Sequence, residues 1–270
     1  AGAGLGGPAV AALRRALPGA VDPEAVAKAL AELARDTVNG LAVFVFPGPD
    51  EYSKAQGTPR SDPGAMEAKT PDFLIHALDH FVPAPDVANP LNAALASGLG
   101  ATPIPLPDSL LSLPLGSVDT LDAAVRVALQ SDETIPVSVT IALLLNLTAT
   151  QVNPAAVSGP FLSPFARLTY AEKAAAFSLL EGANSDLVAT LDNGLPQPLS
   201  RSVSGLMKFV GGALLEFAGY GSYSEWAVFD RASKQLTGRP VGWRLTGYQP
   251  NGPVEGWDDL LGYYPGTKEG

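Results

Sequence analysis

The sequence predicts a mainly α protein, an irregular multi-helix bundle with long Pro/Gly-rich connectors and an extended C-terminal tail. Three observations carry that expectation. Apolar residues recur at helical spacing in several separate windows, no window alternates convincingly between apolar and polar, and 25 Pro and 28 Gly among 270 residues punctuate the helical stretches. The periodic windows amount to about seven to nine helices, without repeats at solenoid periods.

Residues 1–20 open with AGAGLGGPAVAAL, an uncharged run of small and apolar side chains. The run resembles the apolar region of an export signal, and Ala9-Val10-Ala11 has the small-x-small form of a cleavage site, although no basic flank precedes it. An export-signal remnant is therefore expected, with a trimmed helical terminus as the alternative. Gly2, Gly4 and Gly7 also match G-x-G-x-x-G, but a dinucleotide fingerprint needs a strand to deliver its glycines, and no strand pattern precedes Gly2. Beyond this segment we expect an N-terminal helical region over residues 21–157 and a C-terminal helical region over 158–270.

In the first region, Asp22-Pro23-Glu24 supplies an N-cap, a first-turn Pro and a carboxylate at the positive helix end; Val26, Leu30, Leu33 and Val38 then share a face. Residues 47–69, PGPDEYSKAQGTPRSDPGAMEAK, are too long for a simple turn, and loops of that length are functional or wrap a surface. Residues 70–82 and 88–99 read as helices separated by Pro83, Pro85 and Pro90, while recurrent Pro makes 101–116 an extended connector. Ser117 to Thr120 caps a helix over 121–129. Residues 134–150 are almost continuously apolar and predict the central buried helix; carrying Asn146 and several hydroxyls, the run is short for a bilayer span.

In the second region, 165–181 predicts a helix with Thr169 as N-cap, Glu172 at the capping-box position, and Ala174, Phe177 and Leu180 on one face. Residues 206–220 and 222–237 predict two more, hinged at Gly219 and Gly221. The tail, GRPVGWRLTGYQPNGPVEGWDDLLGYYPGTKEG from residue 238, holds two of the three Trp and three of the seven Tyr. Its Gly and Pro block a long helix or a central strand. Trp243, Tyr248, Trp257, Tyr263 and Tyr264 are the candidate partner-binding residues, since rigid rings with a polar edge dominate interfaces; the alternative is that they pin the tail to the chain's own helices.

Composition excludes several classes. A net charge of -10, from 17 basic against 27 acidic residues, opposes binding to nucleic acid or anionic lipid. With 16% charged and 46% hydrophobic residues the surface is weakly charged and includes apolar area suited to another chain. The absence of cysteine excludes disulfides, thiolate metal sites, iron–sulfur clusters and a Cys nucleophile, without fixing the compartment. No apolar run reaches the roughly 18 residues of a spanning helix.

Catalytic patterns are sparse. His76 and His80, four residues apart, share a helical face as metal ligands would, with Asp72 and Asp79 nearby, but two histidines without a third ligand are only a weak metal or haem motif. No G-x-S-x-G elbow, Walker A loop, H-E-x-x-H or EF-hand loop occurs. Asp132-Glu133 and Asp258-Asp259 read as solvated helix starts, and the sequon at Asn146 falls inside the most apolar helix, where it is expected to be silent. No catalytic residue, metal or cofactor is assigned to this chain.

Three pieces between residues 158 and 266 go together: FLSPFARLTYAEKAAAFSLLE, then YSEWAVFD, then a tail of form G-W, G-Y, G-W-D-D, G-Y-Y. They resemble the gluconate 2-dehydrogenase subunit 3 family of small accessory subunits. The resemblance implies a helical subunit, exported by the twin-arginine route to the cell envelope or beyond, that accompanies a flavin-dependent dehydrogenase or oxidase of the glucose-methanol-choline type; the partner would hold FAD and perform catalysis. The N-terminal half looks like an extension found in Ala/Gly/Pro-rich relatives. One departure is the missing basic twin-arginine segment, for which Arg14-Arg15 cannot stand in because ALPGAVDPE follows. The functional expectation is a non-catalytic subunit that stabilises and escorts the enzyme, wrapping residues 47–69 and 238–266 over it with, at most, peripheral membrane association. The rivals are a stand-alone enzyme with a helical pocket around His76, His80 and Asp79, and a lipid- or sterol-binding module built on the 134–150 helix.

Overall fold

The computed structural model describes residues 10–11, 14–15, 23–81, 135–182 and 203–248. The helices expected at 88–99 and 121–129, the connector at 101–116, the cap Asp22, both acidic pairs, and Trp257, Tyr263 and Tyr264 lie outside the described residues. Within them the chain is mainly α, with eight helices and two short strands.

Helix α1 (Pro23–Val45) starts amphipathic, with Glu24 and Lys28 in solvent and Val26, Leu30 and Leu33 buried. From Asp36 to Val43 every residue is buried, so its second half runs through the interior. Gly40 allows this: a Cβ there would stand 2.8 Å from the Ala166 Cα, so only a residue without a side chain permits that crossing.

Residues 47–69 fold back onto α1. Helix α2 (Glu51–Ala55) is started by Asp50, whose carboxylate accepts from the Ser53 amide at 2.9 Å and the Ser53 hydroxyl at 2.8 Å. Gln56 then donates to the Val43 carbonyl at 2.8 Å, and Ala65 and Ala68 are buried. Helix α3 (Thr70–His80) follows, burying Leu74, Ile75, Ala77 and Leu78.

Helix α4 (Val137–Val152) is the centre, with thirteen of its sixteen residues buried, Asn146 among them. It packs against α1, α3 and the two helices that follow it, α5 (Pro164–Arg167) and α6 (Tyr170–Glu181). The single helix expected over 165–181 is thus two. Thr169 takes extended backbone angles as N-cap of α6, and its side chain and that of Glu172 form the predicted capping box.

Helix α7 (Val203–Tyr223) continues through Gly219 and Gly221 without a hinge. The helix expected over 222–237 is instead a turn and a hairpin, β1 (Phe229–Asp230) paired antiparallel with β2 (Gln235–Leu236). Asp230 accounts for the difference. Its carboxylate accepts from the amides of Ala232 and Ser233 and from the Ser233 hydroxyl, and Lys234 closes the turn in the left-handed region at φ 59°. Local side-chain bonds of this kind compete directly with the helical ladder. Helix α8 (Val241–Thr246) ends the described chain.

One apolar core joins these elements: Leu30, Leu33 and Leu41 of α1, Leu74 of α3, Leu144 and Leu145 of α4, Phe165, Leu180, and Leu214 of α7. Each such side chain contributes about 1.5–3 kcal/mol by leaving water.

Candidate functional site

The end of α7 is fixed against α3 by a buried hydrogen bond. The Ser222 hydroxyl donates to the Ala218 carbonyl at 2.8 Å, so Thr70, 2.9 Å away, is the donor to Ser222. This contact brings Phe73 of α3 beside Tyr220, with ring centroids 5.6 Å apart, and edge-on to Trp226 at 5.9 Å. The hairpin register places Phe229 opposite Leu236. Helix α8 closes on α7 through Gly242, where a Cβ would stand 2.7 Å from the Tyr223 Cα. Trp243 and Tyr248 meet edge to face at 5.1 Å, and Arg239 donates to the Tyr248 carbonyl at 2.8 Å.

The result is a groove of about 550 Å³ walled by Phe73, Tyr220, Trp226, Phe229, Leu236 and Trp243. Tyr220 is 65% exposed, and Phe229, Leu236, Leu245 and Tyr248 are exposed as well. Four segments of chain therefore build one open aromatic face. Of the predicted partner-binding residues, Trp243 lines this groove and Tyr248 packs beside it. Tyr220, Trp226 and Phe229 were not predicted. Their signal is an aromatic ring at every third position, Tyr220, Tyr223, Trp226 and Phe229, which a helical reading of 222–237 conceals.

The histidines lie at one edge of this face. Their rings are 4.6 Å apart, as the spacing predicts, but Arg231 donates to His76 Nε2 at 3.1 Å and His80 Nδ1 is 3.0 Å from the His76 carbonyl. Burial, then His80 and Arg231, hold the His76 imidazolium below its usual pKa. The Arg231 guanidinium on His76 Nε2 opposes a cation there, and no group of three potential ligands converges among the described residues. Asp72 pairs with Arg35 at 2.6 Å. Asp79 accepts from the Ser138 amide at 2.9 Å and its hydroxyl at 3.0 Å, capping α4 from outside because the N-cap position is Pro136. Burial pushes the Asp79 carboxyl up, against these two bonds.

A second concavity, about 1140 Å³, lies along α1 and is lined by Ala27, Ala31, Ala34, Asp36, Asn39 and Tyr52 among others. The Tyr52 hydroxyl donates to Asp36 Oδ1 at 2.5 Å and accepts from Asn39 Nδ2 at 3.0 Å. Burial and then the Asp36 bond raise the phenol well above its usual pKa, so it stays a donor. Behind it, Asp36 Oδ2 accepts from the Ser163 amide at 2.7 Å, Asn146 Oδ1 accepts from the Ser163 hydroxyl at 2.7 Å and the Phe165 amide at 3.0 Å, and Asn146 Nδ2 donates to Thr37 at 3.0 Å. Lys173, fully buried, donates to the Gly40 carbonyl at 2.9 Å and to Gln56 Oε1 at 2.8 Å, and burial pulls its amine down to about 7. These groups fasten residues 47–69 and the segment before α5 to the core. Compared with known proteins, the chain matches no family model, no curated protein and no solved structure.

Proposed function

We propose that the chain is an accessory subunit of an exported flavin-dependent dehydrogenase or oxidase of the glucose-methanol-choline type, and that it holds this enzyme through the groove between α3, α7, the hairpin and α8. The observation that carries the reading is convergence: six apolar side chains from separate segments meet in an open groove whose Tyr220 is 65% exposed. The segment YSEWAVFD and the first G-W and G-Y of the tail, on which the family resemblance rests, supply Trp226, Phe229, Trp243 and Tyr248 to this face. FAD and catalysis belong to the partner, export follows the twin-arginine route, and any envelope association is peripheral. No helix among the described residues is long and apolar enough to cross a membrane. Residues 47–69 bury Ser53, Gln56, Ala65 and Ala68 in the chain's own core, so a grip by this stretch uses its exposed residues, Glu51, Lys54 and Arg60 among them.

Co-expression with the flavoprotein of the native source tests this. Tyr220→Ser with Trp243→Ala is expected to lower the co-purified flavin at least tenfold at an unchanged unfolding midpoint. Wild-type flavin retention by that folded variant would sink the proposal.

The cavity of about 1140 Å³ favours a second reading, a small-ligand module or enzyme whose ligand lies against Asp36, Asn39 and Tyr52 rather than at His76 and His80. A lipid-binding version gains less, since of α4 only Ser138 and Val139 reach the lining. Native mass spectrometry of the chain from its source decides, an added small-molecule mass supporting this reading.

A further inference from the structure

We infer that the partner surface received by the groove is acidic: an apolar side chain flanked by carboxylates on a protein. This rests on the accessory-subunit reading and gives the partner its chemistry. The chain carries a net charge of -10, yet residues 224–248 hold Arg231, Lys234, Arg239 and Arg244 against only Glu225 and Asp230. All four cations are exposed. Elsewhere among the described residues, Arg14, Lys28, Arg35 and Lys54 each lie within 4.0 Å of a carboxylate, whereas Arg60, Lys69 and Lys208 form no such pair. Among the described residues none of the four around the groove has such a partner: Arg231 meets His76 Nε2, and Arg239 meets the carbonyls of Trp243 and Tyr248.

Asp230 keeps its negative charge while its two oxygens accept from the amides of Ala232 and Ser233 and the Ser233 hydroxyl within the turn, so residues 224–248, with four cations and two carboxylates, carry a net charge of +2. Glu225 remains as one carboxylate at the groove. Lys234 in the groove's lining and Arg231, Arg239 and Arg244 on the segments that build it outnumber these carboxylates, and such an excess makes a positive potential that steers an acidic partner in and repels a basic one. Phosphate polymers fit less well, since four cations on a strongly acidic chain provide few phosphate contacts.

The test uses the full chain and two decapeptides, each with one central Phe, flanked by Asp in one and by Lys in the other. The acidic peptide is expected to bind at least tenfold more tightly at low salt, and to lose that advantage at 0.5 M salt and in the Lys234→Glu, Arg244→Glu variant. Among the described residues those two side chains make no hydrogen bond or ion pair, so the variant keeps its fold, which circular dichroism checks. Equal affinity for the two peptides, or a preference that survives salt and charge reversal, overturns the inference. So does displacement of the acidic peptide by a single-stranded oligonucleotide, by phosphatidylglycerol vesicles, or by self-association that Tyr220→Ser abolishes, each of which reassigns the groove. Flavoprotein retention is read separately: if it depends on Tyr220 and Trp243 but ignores charge and salt, the accessory reading stands and the acidic surface falls.

Discussion

Asn146 in the middle of α4 and Tyr220 near the end of α7 are placed against their chemistry in opposite directions. Asn146 is a polar amide at 1% exposure with three hydrogen bonds, whereas Tyr220 is a large ring at 65% exposure. The two regions differ in the same way throughout. Around α4 the buried polar groups Asp36, Thr37, Ser163 and Lys173 all find partners, and the apolar surface is hidden. Around the groove apolar rings are presented, and among the described residues Arg231, Lys234, Arg239 and Arg244 form no ion pair within 4.0 Å. Interior polar groups are kept where they fix one arrangement of segments, and exterior rings are consistent with burial by something else.

The contrast can be broken from the inside first. Asn146→Leu leaves the Phe165 amide and the Ser163 and Thr37 hydroxyls short of a partner in the interior, so a loss of about 3 kcal/mol is expected in urea unfolding. A loss under about 1 kcal/mol would mean that the network is not holding α5 to α4.

Lys173 gives the next effect, through pH. Its folded pKa, about 7, lies below the ordinary 10.5, so between these values the unfolded chain binds more protons than the folded one. Raising pH across that window therefore favours the fold, by up to about 1.4 kcal/mol per pH unit, or roughly 2 kcal/mol between pH 7 and 9. Below pH 7 both states are protonated and this contribution is flat. Lys173→Met should remove the slope; a slope that persists would assign it to another group.

Thr169→Ala removes the capping box and should cost about 1 kcal/mol in the same assay. Tyr220→Ser should change stability by less than about 0.5 kcal/mol, as expected for a ring that packs little at home. A loss of several kcal/mol there would turn the open face into part of the chain's own core.

The core was the more legible region. Residues 134–150 announce a buried helix by their apolar continuity, and the Thr169–Glu172 spacing alone locates the start of α6. The Leu168–Thr169 break was legible in the same cap, since an N-cap residue cannot also be helical. The groove was readable only through Trp243 and Tyr248. Leu236 and Trp243 return to Tyr220, Trp226 and Phe229 because the chain reverses after Asp230, and that reversal uses an Asp side chain and a left-handed Lys234 where a hairpin would ordinarily show Gly or Asn. The histidine pair was legible as a shared helical face, but not the arrival of Arg231, which depends on the same hairpin.

The hydrogen bonds from Ser138 to Asp79 join positions 59 apart in sequence. They tie the end of α3 to the start of α4, so a single carboxylate fixes where one helix stops and the next begins. Asp79 is thus a joint at which one substitution loosens two helices at once.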